Sequence, residues 1–289
     1  MTHTAQDSST SHPSDSDRIE VRTVHVGGQR LRVSIQGTGR PLLLCNGIGA
    51  TADLFEPLRD AIDAIGGRQT IAFDAPGIGG SPAPFYPPTM RCLARTVAGM
   101  IQELGHERVD VLGLSWGGAL AQELAHRHGD LVNGLILAAT MHGWTSMPGR
   151  PAAMGILASP ARYYSPAYLH AVAPTLYGHE ILDHPELLSR HAQLRATRPP
   201  SPIGYMWQMY ALRRWTSLPW LHRLPHPTLL LAGDDDPIIP VVNARRMADR
   251  IPNSDLQIIE GGGHLVLFLR AAEMAGRIDS FLTASDRRR

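Results

Sequence analysis

Residues 111–118 read VLGLSWGG, and this octapeptide contains the most informative turn of the chain. An apolar run at residues 109–112 precedes the turn, and a run of helical character at 119–128 follows it. Glycines stand two residues before and two residues after Ser115, which makes the G-x-S-x-G pattern of a sharp strand-to-helix turn. Such a turn strains its central residue, and neighbours without side chains let its two arms approach. The octapeptide therefore predicts a serine hydroxyl at the tip of a strand, with the unpaired N–H groups of a helix end behind it.

Buried strands and helices alternate on both sides of this turn. Two glycines at 27–28 join alternating runs that predict a hairpin at a sheet edge, while the later strands are continuously apolar, as in sheets buried on both faces. The predicted strands lie at residues 19–26, 31–35, 41–45, 70–74, 109–112, 135–139, 228–232 and 256–259. The other predicted helices lie at residues 53–65, 90–104, 241–250 and 267–282. The alternation predicts an α/β fold whose mostly parallel sheet carries helices on both faces.

Residues 141–224 break this alternation, because they are rich in proline and contain no clear strand pattern. Six of the seven tyrosines and four of the five tryptophans of the chain lie here. Two interpretations are compatible: a small helical subdomain with an aromatic core, and a lid whose rings meet an apolar substrate. We therefore predict a core at residues 18–140 and 225–285, with a helical lid inserted at 141–224 after the sixth strand. Residues 1–17, rich in Ser, Thr, His and Asp, are predicted to be a disordered tail.

The composition argues against several classes of protein. Charged residues make up 18% of the chain and the formal net charge is +1, which gives no electrostatic reason to expect nucleic acid or an anionic membrane as a partner. Two cysteines do not make a disulfide framework. No apolar run is long enough to span a bilayer and no signal sequence is found, so we expect a cytoplasmic protein. The histidines lack the spacing of a zinc site, and we expect neither a metal nor another cofactor.

A serine hydroxyl is a poor nucleophile alone, so Ser115 needs a base that a carboxylate orients. After a strand-to-helix serine turn of this kind, the order along the chain is Ser, then Asp or Glu, then His. His264 follows a late strand and three glycines, and it is the one histidine of 14 in such a loop. The preceding acidic loop offers Asp234, Asp235 and Asp236, of which we choose Asp236 for its place in G-x-x-D-x-I-I-P. Ser115, Asp236 and His264 are therefore the predicted catalytic residues, each just past the carboxyl end of a strand.

An acyl-transfer site also needs N–H donors for the negatively charged oxygen of its intermediate. The residue after the nucleophile supplies one backbone N–H, and the loop after the third strand supplies the other. These rules select the amides of Trp116 and Ile48 for the oxyanion hole. Asn46 precedes Ile48 in the same loop, and its side chain is suited to holding that loop by hydrogen bonds. Asn46, Trp207 and Tyr210 are also the predicted contacts to substrate.

The strand-to-helix turn at Ser115 (the elbow), the acidic loop at 233–240 and the histidine loop at 260–264 together resemble those of the α/β-hydrolase superfamily. Longer strings resemble the intracellular depolymerases of medium-chain-length poly(3-hydroxyalkanoate). In the core these strings are NGIGA at 46–50, GLSWGGALAQ at 113–122, LILAAT at 135–140 and LAGDDDP at 231–237. In the predicted lid they are ASPARY at 158–163, APTLYG at 173–178 and WTS at 215–217. The resemblance covers residues 22–282, and the lid strings are more specific than the elbow.

This resemblance implies a serine esterase without cofactor or metal that cleaves the polyester and releases 3-hydroxyalkanoic acids. It implies that the enzyme acts in the cytoplasm at the surface of polyester granules. It does not decide whether the protein forms a homo-oligomer. The triad alone is also compatible with a small-molecule carboxylesterase, a lactonase, a C–C hydrolase or a cofactor-free haloperoxidase-like relative. A catalytically silent granule-binding protein of the same fold is a different class, against which the complete triad argues. Turnover of a p-nitrophenyl ester separates the enzymes from the binding protein.

Overall fold

A computed structural model describes residues 19–287, so the predicted tail at 1–17 lies outside the described residues. The strands in this range are β1 (Glu20–Val26), β2 (Gln29–Gln36), β3 (Arg40–Cys45), β4 (Arg68–Phe73), β5 (Val109–Leu114), β6 (Val132–Ala138), β7 (Thr228–Gly233) and β8 (Ser254–Ile259). They form one eight-stranded sheet in the order β1-β2-β4-β3-β5-β6-β7-β8. β2 pairs antiparallel with β1 and with β4, and all other neighbours pair parallel. The predicted edge hairpin and mostly parallel sheet are confirmed.

Helices surround this sheet. They are α1 (Glu56–Ile65), α2 (Met90–Glu103), α3 (Trp116–Arg127), α4 (Pro151–Leu157), α5 (Ala161–Tyr164), α6 (Pro166–Tyr177), α7 (Pro185–Thr197), α8 (Pro202–Leu212), α9 (Val242–Ala248), α10 (Val266–Leu269) and α11 (Ala271–Asp286). Helices α4 to α8 all lie between β6 and β7, within the segment at 141–224, which we call the lid. Within residues 19–287, no helix combines the length and the apolar character needed to cross a membrane.

The sheet is buried between two helical layers. Side chains alternate along a strand, so neighbouring residues face opposite layers. Leu43 of β3 packs in the layer of α2 and α3, whereas Leu42 and Leu44 pack in the layer of α1 and α11. All three side chains are completely buried, which is why this strand reads as an unbroken apolar run.

Two of the predicted core helices differ from the structure in the kind or number of helical segments. Residues 52–55 form a 3-10 turn, so the α-helix predicted from residue 53 begins only at Glu56. The single helix predicted at 267–282 is wrong, because α10 and α11 are separated at Arg270. The backbone of Arg270, with φ of −112° and ψ of 39°, is not helical. Its side chain pairs with Glu180 of the lid.

The lid packs on the core through an apolar cluster of its own. Leu169 and Leu176 of α6 are completely buried there, and they pack with Ile239 of the acidic loop and Phe268 of α10. The lid aromatics differ in exposure: Tyr163, Tyr177 and Tyr205 are buried, three tryptophans are half-buried, and Trp144, Tyr164, Tyr168 and Tyr210 are exposed. The lid therefore presents aromatic rings both to its interior and to its surface.

Candidate active site

The turn between β5 and α3 holds Ser115 in a conformation that few residues adopt. Its φ is 54° and its ψ is −117°, and it is one of two non-glycine residues with positive φ among residues 19–287. A Cβ atom on Gly117 would lie 2.0 Å from the carbonyl oxygen of Cys45, and one on Gly113 would lie 2.5 Å from that of Gly117. Gly113 therefore lets β5 and α3 meet, and Gly117 lets the start of α3 approach the end of β3. Helix α3 begins at Trp116 and not at residue 119 as predicted, because the glycines serve close helix packing and not a loop.

Asp236 and His264 meet beyond the ends of β7 and β8. Nδ1 of His264 lies 2.7 Å from Oδ2 of Asp236, and both residues are buried. Oδ1 of Asp236 accepts the backbone N–H groups of Ile238 at 2.8 Å and Ile239 at 2.9 Å, which fixes the carboxylate in place. Because a carboxylate only accepts, Nδ1 donates its proton and Nε2 is left to accept one from a hydroxyl. A general base requires this arrangement.

The other two acids of the loop are engaged elsewhere. Oδ1 of Asp234 accepts the N–H of Gly261 at 2.7 Å, which joins the acidic loop to the histidine loop. Asp235 accepts from Arg150 at 3.0 Å, and its other oxygen lies 2.9 Å from the backbone nitrogen and 2.8 Å from the ring of His179. These contacts join the acidic loop to the lid. Of the three acids, Asp236 is the one that the structure brings to the histidine.

Ser115 opens into an apolar cavity of about 690 Å³, which we call the catalytic cavity. Ile48 and Trp116 line this cavity, as do residues 238–239, whose amides Asp236 holds. The structure thus brings the predicted nucleophile and both predicted oxyanion donors to one cavity. The lid contributes five of the ten methionines of the chain to its wall: Met141, Met147, Met154, Met206 and Met209.

A larger and more polar cavity, of about 900 Å³, lies at the opposite edge of the sheet. His226 and Pro227 just before β7 and Asn253 just before β8 line it. The functional residues of parallel sheets gather at the carboxyl ends of the strands, where Ser115, like Asp236, is found. The catalytic cavity is therefore the candidate active site.

Asn46 supports the loop after β3. Its Nδ2 donates to the carbonyl oxygen of Thr51 at 2.6 Å, and its Oδ1 accepts the N–H of Gly47 at 2.8 Å. These bonds close the turn that carries Ile48, whose own N–H has no acceptor in the described part of the chain. The N–H of Trp116 belongs to the first turn of α3, where amides lack intrahelical acceptors. Both amides are therefore available to an oxyanion.

The lid holds the oxyanion loop from the other side. Gln208 is a buried residue of α8, and its Oε1 accepts the N–H of Gly49 at 2.6 Å. Its carbonyl oxygen accepts the indole N–H of Trp116 at 2.9 Å, so one residue contacts both segments that carry the predicted donors. The hydroxyl of Tyr163 donates to the carbonyl oxygen of Ile48. The geometry of this part of the site therefore depends on the lid.

Two buried arginines flank Tyr163. The guanidinium carbon of Arg195 lies 4.4 Å from the ring centroid of Tyr163, and that of Arg162 lies 4.8 Å from it. Arg162 also donates to the hydroxyl of Tyr205 at 3.0 Å. Burial lowers the pKa of His191 well below its usual value, so this ring is neutral and its Nε2 accepts from Arg195 at 2.6 Å. Aromatic faces and a neutral imidazole thus stabilise the two cations that position Tyr163.

The lid also holds the histidine loop. The carbonyl oxygen of Tyr177, at the end of α6, accepts the N–H of His264 at 2.9 Å. A Cβ atom on Gly263 would lie 1.9 Å from that oxygen, so the glycine before the histidine permits the close approach. Glu180, three residues further along the lid, pairs with Arg270 between α10 and α11. The break in the final helix thus coincides with a contact to the lid.

The three predicted substrate contacts lie in different places. Tyr210 lines the catalytic cavity and is 47% exposed. Trp207 does not line this cavity, and its Nε1 donates to the carbonyl oxygen of Pro84 at 3.2 Å. The side-chain amide of Asn46 binds the backbone of Thr51 and Gly47 within the loop after β3. The structure therefore places Tyr210 at the cavity, whereas Trp207 and Asn46 hold loops.

Reasoning from motifs misses three lid residues that hold the catalytic loops: Tyr163, Tyr177 and Gln208. Two of them lie in strings that carry the family resemblance, because Tyr163 ends ASPARY at 158–163 and Tyr177 lies in APTLYG at 173–178. Those strings are the sequence signal that could have selected them. Gln208 lies outside all of the quoted strings.

Comparison with known proteins agrees with the fold. A family model described as alpha/beta hydrolase fold matches residues 40–271, a range that includes Ser115, Asp236 and His264. The chain therefore belongs to the alpha/beta hydrolase family.

More specific similarity comes from one curated relative. The chain is 44% identical over 265 residues to the poly(3-hydroxyalkanoate) depolymerase of Ectopseudomonas oleovorans, and the match covers 90% of this chain and 92% of that enzyme. Among solved structures, the enol-lactonase from Burkholderia xenovorans LB400 has a TM-score of 0.77 at 22% identity, with 91% of this chain and 100% of that chain covered. A thermophilic esterase from Thermogutta terrifontis has a TM-score of 0.75 at 27% identity, with 93% and 99% covered. The two solved structures share the fold, and the first relative is the more closely related protein.

Proposed function

We propose that this chain is an esterase that hydrolyses medium-chain-length poly(3-hydroxyalkanoate) and releases 3-hydroxyalkanoic acids. The observation that carries the proposal is the apolar cavity of about 690 Å³ at Ser115, because a chain of hydrophobic ester units needs such a cavity. The relative at 44% identity is named for the same class of polymer, which supports the proposal. The loops at the ends of the strands supply the chemistry, and the lid supplies most of the apolar wall.

The proposed mechanism gives each of these loops a role. Ser115 attacks the carbonyl carbon of an ester while Nε2 of His264 takes the hydroxyl proton, and Asp236 orients the imidazole and stabilises its charged form. The N–H groups of Ile48 and Trp116 stabilise the negative oxygen of the tetrahedral intermediate. When the intermediate collapses, His264 gives the proton to the departing 3-hydroxyl oxygen and the acyl group stays on the serine. Water then attacks the acyl group as His264 removes its proton, and the acid is released.

The methionines of the cavity wall support a preference for longer monomer side chains. Methionine is unbranched and polarisable, so it adapts to apolar groups of different length. Each methylene that moves from water into such a cavity contributes about 0.8 kcal/mol. A monomer side chain that is longer by several methylenes should therefore bind better than the methyl group of poly(3-hydroxybutyrate).

Exposed apolar side chains in and near the lid support the proposal that the enzyme binds the surface of polyester granules. Phe85 and Tyr86 are 87% and 74% exposed, on the loop whose Pro84 carbonyl oxygen binds Trp207. Trp144 lines the catalytic cavity and is exposed as well. The rings of Phe85 and Tyr86 contact each other, with centroids 4.9 Å apart, and rings with a polar edge suit the boundary between water and an oily polymer.

The proposal is tested by incubating the purified protein with medium-chain polyester granules and with poly(3-hydroxybutyrate). Chromatography of the released 3-hydroxy acids should show release from the medium-chain polymer and little from the short-chain one. Ser115→Ala is the control and should release neither acid. Faster release from poly(3-hydroxybutyrate) would contradict the medium-chain assignment. Turnover of p-nitrophenyl octanoate without release from either polymer would leave a small-molecule esterase of the same fold.

A further inference from the structure

A second cavity, of about 540 Å³, adjoins the catalytic cavity. It lies between the start of α2, the end of α3 and the segment after α8. Tyr210 and Arg213 line both cavities, so the two share a wall. We call the second cavity the arginine groove, because Arg91, Arg127 and Arg214 line it together with Arg213.

The one carboxylate of the arginine groove is already engaged. Glu123 is buried, its Oε1 accepts from Nε of Arg127, and its Oε2 accepts the indole N–H of Trp215 at 2.8 Å. The other three arginines of the groove make no ion pair within residues 19–287. Four guanidinium groups and one carboxylate leave an excess of three positive charges beside an apolar cavity.

We propose that the arginine groove binds the free carboxylate end of the polyester, so that hydrolysis removes units from that end. This inference rests on the proposed function. A poly(3-hydroxyalkanoate) chain is neutral along its length and ends in one carboxylate, so a positive groove distinguishes this end from every other part of the polymer. Alkyl side chains suit the catalytic cavity, and guanidinium groups bind carboxylates in a two-point geometry. The shared wall at Tyr210 and Arg213 lets one substrate occupy both cavities.

The direction of the polymer follows from the reaction. The acyl side of the cleaved ester becomes attached to Ser115, so the alcohol side, which ends in the free carboxylate, extends towards the groove. The ester C–O bond breaks, His264 protonates the departing oxygen, and a hydroxy acid leaves with its carboxylate. Water then cleaves the acyl–serine ester and leaves a carboxylate on the shortened polymer. Each cycle therefore regenerates the group that the arginine groove recognises.

Oligomers of 3-hydroxyoctanoate test this inference when a series of lengths is prepared both as free acids and as methyl esters. The two forms differ in charge at the carboxyl end. We expect the free acids to have a higher kcat/KM, by about tenfold at the best length, because exposed charge pairs contribute up to a few-fold each. Added salt should remove this preference, since screening weakens exposed pairs. Equal kcat/KM for acids and methyl esters at every length would overturn the inference and leave the proposed function intact.

The double variant Arg91→Gln/Arg214→Gln removes two charges that line the arginine groove and not the catalytic cavity. Its kcat/KM should fall by about tenfold for the free acids and stay within about twofold for the methyl esters. Arg95→Gln is the matched control, because Arg95 is exposed on the same helix as Arg91 and lines neither cavity. Equal losses for both substrate forms in the double variant would overturn the inference. Failure of the wild type to hydrolyse either form would overturn the proposed function as well.

Discussion

The nucleophile turn and the oxyanion loop are held in place by different parts of the chain. Ser115 lies in a turn that the sheet and α3 shape, through glycines at which a single added Cβ would clash. The loop that carries Ile48 is closed by Asn46 of the core and is held in addition by lid side chains, because Gln208 accepts from Gly49 and Tyr163 donates to Ile48. From this difference we infer that the lid helps to position the predicted oxyanion donors as well as lining the cavity. Changes in the core loops should therefore abolish the reaction, and changes in the lid should reduce it by degrees.

The largest effect is expected for Ser115→Ala. Loss of the nucleophile should lower kcat on p-nitrophenyl octanoate by about 10⁴–10⁶-fold, the range for removal of such a serine. Folding should be unchanged, since the variant removes one hydroxyl from a half-buried side chain. A variant with native circular dichroism that kept a tenth of wild-type activity would rule out Ser115 as the nucleophile.

Asp236→Asn should come next, with a loss on the order of 10⁴-fold, because an amide stabilises the wrong histidine tautomer. Asp234→Asn and Asp235→Asn are matched controls in the same loop, and they should lose far less. Their carboxylates bind Gly261, Arg150 and His179 and not His264. Steady-state kinetics of the three purified variants would refute the assignment if Asp236→Asn were the mildest.

Gln208→Met tests whether the lid sets the oxyanion loop. Methionine keeps the length of the side chain but is a weak acceptor, so the N–H of Gly49 loses its partner. Displacement of a catalytic group by about 1 Å costs about 10²-fold, so we expect kcat to fall by about 10- to 100-fold with little change in KM. The same substitution at Gln193, an exposed residue of α7, should have no effect. Equal kcat in the two variants would show that the lid merely covers the cavity.

Phe85→Ser should have the smallest effect, and one confined to granules. Full burial of a phenylalanine side chain contributes about 1.5–3 kcal/mol, so partial burial at a polymer surface predicts a three- to tenfold slower release of acid. Turnover of soluble p-nitrophenyl octanoate should stay at the wild-type rate. Ile65→Ser, at an exposed residue at the end of α1, is the control and should change neither activity. Parallel losses on granules and on the soluble ester would show that Phe85 supports the fold instead.

The features that the sequence predicted are local patterns. The glycines two residues before and after Ser115 predicted a close approach of the backbone at this turn. In the structure a side chain at either glycine would clash with backbone atoms. The acidic and histidine loops follow apolar strands directly, so the order of elements places Asp236 and His264 at one edge of the sheet. Burial on both faces gives the central strands continuous apolar runs, which is the pattern that predicted them.

The features that the sequence did not predict depend on distant contacts. Gly49 and Gln208 are 159 residues apart, and a glutamine in an otherwise apolar helix carries no sign of its partner. Tyr177 acts through its carbonyl oxygen, a group that every residue has. The break at Arg270 interrupts a run with good helical periodicity, and a contact to Glu180 in the lid accompanies it. Such features follow from tertiary packing, which no local pattern reports.

Labelling with a fluorophosphonate tests most directly whether Ser115 is the nucleophile that hydrolyses the polyester. After treatment and digestion with trypsin, mass spectrometry should find a single adduct, on the peptide of residues 109–127. Release of acids from medium-chain granules should fall in proportion to the labelled fraction, and Ser115→Ala should take no label. An adduct on another serine with a proportional loss of release, or full labelling of Ser115 with release intact, would contradict the assignment.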